Sequence, residues 1–251
     1  MKLQSKNIDS PDQSLYKLKM FKLGLKFTIM KYSVIISLLF ISVIAISQDC
    51  KNYYYLQNNK TIEMTIYNKK GEASAKQVYT VSDYKNSGGA SSATVNSEMF
   101  DKNGKSITKS ISTVKCIGGV MMMDMKMSMP QGQQYGTTDA KAENVYIEYP
   151  AAMNAGDNLK DGHMELDMDN KGMKQSLTLD VANRKVEGKE KITTPAGTWD
   201  CYKITNSTKM KIKTMGIGIP MNMDVTEWFA PGFGIVKTQS KYGETIITSI
   251  N

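Results

Sequence analysis

Apolar and polar residues alternate with a period of two along most of the chain after residue 47. IEMTIY (Ile62–Tyr67) and KQVYTV (Lys76–Val81) are two such segments, separated by the turn sequence NKKG. ATVNSEMF (Ala93–Phe100) and SITKSISTVKC (Ser106–Cys116) flank the similar turn DKNG. Alternation on both sides of a short polar turn predicts a β-hairpin. We therefore expect two β-hairpins in the first half of the chain after residue 47.

The second half continues the same pattern. HMELDMD is followed by the turn DNKG and by an alternating run that ends near Pro195–Gly197. No segment of ten or more residues after residue 47 has a clear helical period, so we expect few helices. Around a dozen strands with short turns predict a single all-β domain over residues 48–251, built as an antiparallel meander. Because such a sheet must cover its apolar face, we expect it to curl into a half-barrel or clam-like sheet.

Residues 1–47 have a different character. They hold seven Lys and two Asp, and they end in the apolar run Val34–Ser47. This run is about 14 residues long, whereas a membrane-spanning helix needs about 20. A basic segment followed by a short apolar run is typical of a secretory signal peptide, and an uncleaved N-terminal anchor is the alternative.

The expected cleavage point lies after Ser47, because Ala45 and Ser47 provide the small-residue spacing that signal peptidase accepts. Residues 1–29 are interpreted as an upstream extension, since a better start, Met followed by Lys, comes directly after them. Lipid attachment to Cys50 is not expected, because Gln and Asp precede it instead of small residues. We therefore expect an exported protein without a transmembrane span after cleavage.

The net charge of +8 changes this picture little. Residues 48–251 hold 25 basic and 22 acidic residues, which leaves a charge of only +3 after removal of the first 47 residues. The charges are interspersed, as on the solvated face of a sheet, so we expect no nucleic-acid partner.

Three cysteines, Cys50, Cys116 and Cys201, follow the predicted cleavage point. In an oxidising compartment two of them are expected to pair and the third to remain a buried thiol, and all three pairings are open. The chain has no C-x-x-C sequence, which argues against a redox motif or a zinc knuckle.

Methionine is the compositional outlier, because 19 are present and only three of them precede residue 48. Met residues occupy every second position from 121 to 129, so on a strand they share one face, opposite Asp124, Lys126 and Ser128. The same phase recurs in HMELDMD and MNMDV. The candidate apolar ligand-binding face therefore consists of Met121, Met123, Met125, Met127, Met129, Met164, Met168, Met221 and Met223.

Three interpretations of this face are open. The methionines are a closed core, or they line an apolar cavity for ligands of variable shape, or they bind Cu(I) through soft thioethers. Copper sites would favour Met on polar loops or mixed with His, whereas here Met takes the positions of Ile, Val or Leu. If a cavity exists, the segments Pro130–Ala142 and Thr214–Pro220 are candidate gates.

No pattern of catalytic residues accompanies these features. His163 is the single imidazole, it takes the polar phase beside Glu165 and Asp167, and we expect it on the surface. The acidic residues around it lack the spacing of a calcium loop. We therefore expect no catalytic residues, no metal site and no cofactor, and we expect the protein not to be an enzyme.

Two C-terminal segments carry a resemblance to a known family. VEGKEKITTPAGTWDCYKI (Val186–Ile204) and EWFAPGFGIVKTQS (Glu227–Ser240) resemble exported β-rich proteins of Gram-negative bacteria, grouped as a domain of unknown function and in part as TapB-like. The N-terminal segment Asp49–Gly71 fits the same pattern, so the resemblance spans most of residues 48–251. More remotely, the sequence resembles the curled-sheet carriers of lipids and lipoproteins. The resemblance implies a β-rich fold and a periplasmic or secreted location, and it implies no activity.

Together, these observations favour a non-enzymatic exported protein whose curled sheet binds a lipid, an acyl chain or an envelope protein. A periplasmic Cu(I)-binding protein and a structural or interaction module with a closed core are the alternatives.

Overall fold

The computed structural model describes Cys50 and residues 53–128, 145–170, 173–214 and 217–251. The chain divides into two units, Met1–Ser47 and Gln48–Asn251, and the described residues all belong to the second. The predicted signal peptide, Met129 and the predicted gate Pro130–Ala142 lie outside the described residues.

Twelve strands account for most of the described residues. They are β1 (Thr61–Asn68), β2 (Ala73–Ser87), β3 (Ala90–Asp101), β4 (Ser106–Ile117), β5 (Val120–Asp124), β6 (Tyr146–Pro150), β7 (Gly162–Asn170), β8 (Met173–Thr194), β9 (Gly197–Thr214), β10 (Ile217–Ala230), β11 (Gly234–Ser240) and β12 (Gly243–Ile250). Apart from Cys50, helical structure within the described residues is limited to two short 3₁₀ helices, Tyr54–Leu56 and Met125–Ser128.

All twelve strands form one antiparallel sheet in the order β6-β5-β4-β3-β2-β1-β12-β11-β10-β9-β8-β7. Each half is a meander of sequential hairpins, and the two halves meet where β1 pairs with β12. The predicted all-β antiparallel meander is confirmed, and the β1–β2 and β3–β4 turns fall at the predicted NKKG and DKNG sequences. At Gly71 and Gly104, for example, φ is +75° and +79°, a conformation that glycine adopts without strain.

The two end strands, β6 and β7, are brought together by side chains. Arg184 of β8, the only arginine in the chain, donates hydrogen bonds from Nη1 to the main-chain carbonyls of Glu148 in β6 (3.0 Å) and of Lys160 (2.9 Å). A Cβ on Gly162, the first residue of β7, would meet Ile147 of β6. The sheet is thus curled until its edges nearly close, which confirms the predicted curvature.

The cysteines behave as one disulfide and one thiol, as predicted. Cys50 is bonded to Cys116 of β4, with their Cα atoms 5.6 Å apart. Cys201 is a free, buried thiol on β9, and burial raises its pKa to about 12. A thiol with so high a pKa is present as the unreactive protonated form at neutral pH.

One strand prediction is wrong. The alternation of Met121–Met129 predicted a single strand, but β5 ends at Asp124 and a 3₁₀ helix follows. The main-chain nitrogen of Lys126 donates to Asp124 Oδ1 (3.0 Å), a local turn that competes with strand extension. Asp124 is therefore buried and paired with Lys126 Nζ (3.2 Å), not on a solvated face.

The predicted gate Thr214–Pro220 is also corrected. β9 runs to Thr214 and β10 begins at Ile217, and Ile217 is the register partner of Thr214. Pairing continues through Gly218 with Lys213. Residues 217–220 therefore belong to strand β10 and pair with β9, where the sequence predicted a gate, because the ladder hydrogen bonds outweigh the freedom that Gly218 provides.

Candidate functional site

A cavity of about 530 Å³ lies against the inner face of the curled sheet. This volume falls within the range of small-molecule sites, about 300–1,000 Å³. The walls are mostly apolar and come from strands in both halves of the sheet. Among them are Ile66 of β1, Ile147 of β6, Leu179 of β8 and Val225 of β10.

Seven methionines line this cavity: Met64, Met99, Met123, Met127, Met210, Met221 and Met223. Several of them stand in cross-strand rows set by the register. Met64 of β1 pairs with Gln77 of β2, which pairs with Met99 of β3. On the opposite half, Met210 of β9 pairs with Met221 of β10. Long unbranched side chains from two sides thus form an adaptable wall.

The nine methionines predicted as the ligand-binding face separate into three groups. Met123, Met127, Met221 and Met223 line the cavity. Met121, Met125 and Met164 are buried in the core and do not line it. Met129 and the side chain of Met168 lie outside what the structure describes.

Sequence reasoning missed Met64, Met99 and Met210 as cavity residues. Met64 and Met99 are isolated methionines within alternating segments, so a search for Met-rich runs does not find them. The alternation within each hairpin could have identified them. Met64 lies on the same face of β1 as the buried Ile62, and Met99 lies on the same face of β3 as the buried Val95.

Aromatic side chains close one end of the cavity. We call residues Tyr53–Leu56 the plug. Tyr55 of the plug is buried and lines the cavity, and its ring centroid lies 6.0 Å from that of Tyr79 and 5.9 Å from that of Phe233. The Cys50–Cys116 disulfide fixes the chain directly before the plug to β4.

The other end of the cavity opens between the β1–β2 and β11–β12 turns. Tyr242, in the β11–β12 turn, lines the cavity and is 43% exposed. Ser74 and Gln239, which also line it, are exposed. Lys69 Nζ and Lys241 Nζ lie 5.6 Å and 5.2 Å from the centroid of the Tyr242 ring. Glu244, near the start of β12, also lines this end, so the mouth is polar with charges of both signs, whereas the interior is mostly apolar.

A polar cluster forms one part of the cavity wall. The hydroxyl of Tyr149 donates to Glu227 Oε2 at 3.0 Å, and both residues line the cavity. Tyr149 is held by Phe229, with stacked rings 4.7 Å apart, and by Arg184, whose guanidinium carbon lies 4.7 Å from the ring centroid. Burial, followed by the charge of Glu227, raises the pKa of Tyr149 well above its ordinary value, so the hydroxyl stays protonated and donates.

Gln77 is a second polar group in the wall. It is only 4% exposed, and within the described residues its Nε2 has no hydrogen-bond partner. A buried amide without a partner costs free energy. Its place between Met64 and Met99 interrupts an otherwise apolar row.

His163 lies apart from the cavity, on the outer face of β7. Its Nδ1 is 2.6 Å from Asp180 Oδ1, and its side chain is 59% exposed, as predicted for a surface residue. The hydrogen bond with Asp180 raises the pKa of His163. Across the described ranges, no group of three or more His, Cys, Asp or Glu residues is arranged to hold a metal ion.

None of the described helices has the length and apolar character needed to cross a membrane.

Comparison with known proteins gives a family and a fold. A family model described as DUF3108-like matches residues 57–246. A Bacteroides fragilis structure, described as an exported protein with a YmcC-like fold, has a TM-score of 0.64 at 22% identity, covering 79% of this chain and 98% of its own. A Parabacteroides distasonis structure, described as a lipoprotein, has a TM-score of 0.66 at 18% identity, covering 81% and 100%. No curated protein matches the chain.

At these identities the structural likeness shows the fold alone. The matching family model carries a different label from the TapB-like one that the C-terminal motifs suggested. The broader prediction, a family of β-rich proteins of uncharacterised function, agrees with the match.

Proposed function

The chain belongs to the DUF3108-like family, and from its cavity we propose that the protein is a non-enzymatic, exported binder of a single-chain apolar ligand. The observation that carries the proposal is a cavity of about 530 Å³ whose wall includes seven methionines. A chain such as an acyl group would lie between the two halves of the sheet, with its far end toward Tyr55.

Export is part of the proposal. The basic segment and apolar run of residues 1–47 support it. The structural neighbours support it too, because one is described as an exported protein and another as a lipoprotein. The TapB-like label and the more remote likeness to lipid carriers stay predictions.

The chemistry of the cavity supports binding over catalysis. Met, Ile, Leu and Val side chains offer contact area but no nucleophile, and the one described free thiol, Cys201, is buried with its pKa raised to about 12. The described His163 lies on the outer face of the sheet. A nucleophile beside a general base is the usual requirement for covalent catalysis, and these two groups lie outside the cavity wall.

An affinity series tests the proposal. Each methylene moved from water into the cavity contributes about 0.8 kcal/mol, so affinity should rise about fourfold per methylene along a series of linear alcohols. The rise should stop when the cavity is full. Displacement of the neutral fluorescent probe N-phenylnaphthylamine measures each affinity.

Two matched variants locate the binding. Met223 lines the cavity and is partly exposed, whereas Met122 is partly exposed but is not part of the cavity wall. Met223→Gln should weaken the longest alcohol several-fold, and Met122→Gln should leave it unchanged. Equal effects of the two variants, or affinities independent of chain length, would contradict the proposal.

Cu(I) binding is the second candidate, because seven thioethers share one cavity and thioethers favour Cu(I). A copper adduct that persists under reducing conditions and is lost in Met223→Gln would support it. A closed-core module is disfavoured by the size of the cavity.

A further inference from the structure

The charges in the cavity wall point to the polar end of the ligand. Among the described residues, only two charged side chains line the cavity, Glu227 and Glu244, and both are acidic. Glu244 is paired with Lys237 at 2.8 Å. Glu227 has no described cation within ion-pair distance and is held by the Tyr149 hydroxyl.

Glu227 lies inside the cavity and not at its mouth. Along β10, Val225 pairs with Ser240 near the β11–β12 turn, and Glu227 is two residues further from that end, opposite Thr238. The next inward position, Phe229, is fully buried. A ligand that enters beside Tyr242 would therefore pass Val225 before it reaches this carboxylate.

Arg184 is a described cation that contacts this cluster, but it does not line the cavity. Its guanidinium lies against the Tyr149 ring and donates to the carbonyls of Glu148 and Lys160. A ligand in the cavity would therefore meet the Glu227 carboxylate, with the Tyr149 ring between it and the guanidinium. In an apolar cavity, a carboxylate favours a cation or a hydrogen-bond donor and repels an anion.

We propose that the ligand is a single-chain apolar molecule whose polar end is an amine that pairs with Glu227, and that chains ending in a carboxylate are excluded. The inference rests on the proposed function, because it assigns the polar end of the same ligand. The two charged side chains of the described cavity wall, Glu227 and Glu244, are both acidic, although the whole chain carries a net charge of +8.

The test compares decylamine, decanol and decanoate, which differ only at the polar end, below their micelle concentrations at neutral pH. In the full-length protein, displacement of N-phenylnaphthylamine should rank the amine above the alcohol and the alcohol above the carboxylate. A hydrogen bond to a charged group corresponds to an amine-over-carboxylate ratio of roughly 10- to 100-fold.

Glu227→Gln removes the charge but keeps an oxygen that accepts from Tyr149. This variant should reduce the amine-over-carboxylate ratio to near one, and decanol should bind as before. Glu98→Gln is the matched control, because Glu98 pairs with Lys109 and is not part of the cavity wall. It should leave all three affinities unchanged.

The outcomes separate the two proposals. If none of the three chains binds, the proposed function itself fails. If all three chains bind but the affinity for decanoate equals or exceeds that for decylamine, the proposed function stands and this inference is overturned. The positive charge of Arg184 would then outweigh the negative charge of Glu227. A wild-type preference that Glu227→Gln leaves intact would also overturn it.

Discussion

Removal of the Cys50–Cys116 disulfide should destabilise the protein by about 4 kcal/mol. The bond joins residues separated by 66 positions. In the chain-entropy model, closing a loop of this length removes about 15 cal/mol/K of entropy from the unfolded chain, which corresponds to about 4 kcal/mol at room temperature. The loop contains the plug and β1–β3, so the restraint acts on one whole wall of the cavity.

The perturbation is the double variant Cys50→Ala, Cys116→Ala, and the control is Cys201→Ala. All three cysteines are buried, so each substitution removes a buried sulfur, but only the double variant removes the covalent bond. We expect Cys201→Ala to cost on the order of 1 kcal/mol. The difference between the two variants therefore isolates most of the effect of the bond.

Urea unfolding followed by tryptophan fluorescence measures both variants. Trp199 is a suitable reporter because its ring centroid lies 4.5 Å from that of Phe233, which packs against Tyr55 of the plug. The double variant should also bind decanol more weakly, since Tyr55 closes the cavity. If the two variants unfold within about 1 kcal/mol of each other, loop closure does not stabilise this fold and the reasoning is refuted.

Three further predictions concern single groups. Because burial raises the pKa of Cys201 to about 12, iodoacetamide should not label this thiol in the native protein at neutral pH. It should label the thiol after urea unfolding, and labelling of the native protein would contradict the burial of Cys201. Asp180 raises the pKa of His163, so the pair should stabilise the protein below pH 6.5, and this stability should be lost as the pH rises through the raised pKa. Because the pair is exposed, its contribution to the free energy of unfolding should stay under about 1 kcal/mol. Urea midpoints in Asp180→Asn should lose this pH dependence, and an unchanged dependence would refute the assignment. Gly162→Ala should destabilise by about 1–3 kcal/mol, because the added Cβ meets Ile147 at the closing edge, and a neutral result in thermal unfolding would show that this edge is loosely packed.

Much of the fold follows from local sequence signals. The turn residues between β1 and β2 and between β3 and β4 define hairpins, and sequential hairpins define a meander, so the strand order within each half follows from the sequence. The pairing of β1 with β12 joins the two ends of the domain and has no local signal. The same holds for the seam at Arg184, because a buried arginine is unusual and nothing in its sequence context indicates it.

The candidate site was harder to predict than the fold. Alternation identifies which methionines face inward, but it does not distinguish a filled core from a cavity, because both need apolar side chains in the same phase. Met121 and Met123 show this: they share one face of β5, yet only Met123 lines the cavity. Glu227 was missed for a different reason, since its partner Tyr149 is 78 residues away in the sequence.

The most direct test of the account is native mass spectrometry of the protein, expressed from the full chain and isolated without detergent. The account predicts a bound adduct of lipid-like mass whose occupancy is lower in Met223→Gln than in the unmodified protein and is unchanged in Met122→Gln. A bare protein mass that stays unchanged after incubation with decylamine, decanol or decanoate would contradict the claim that the methionine-lined cavity binds an apolar chain.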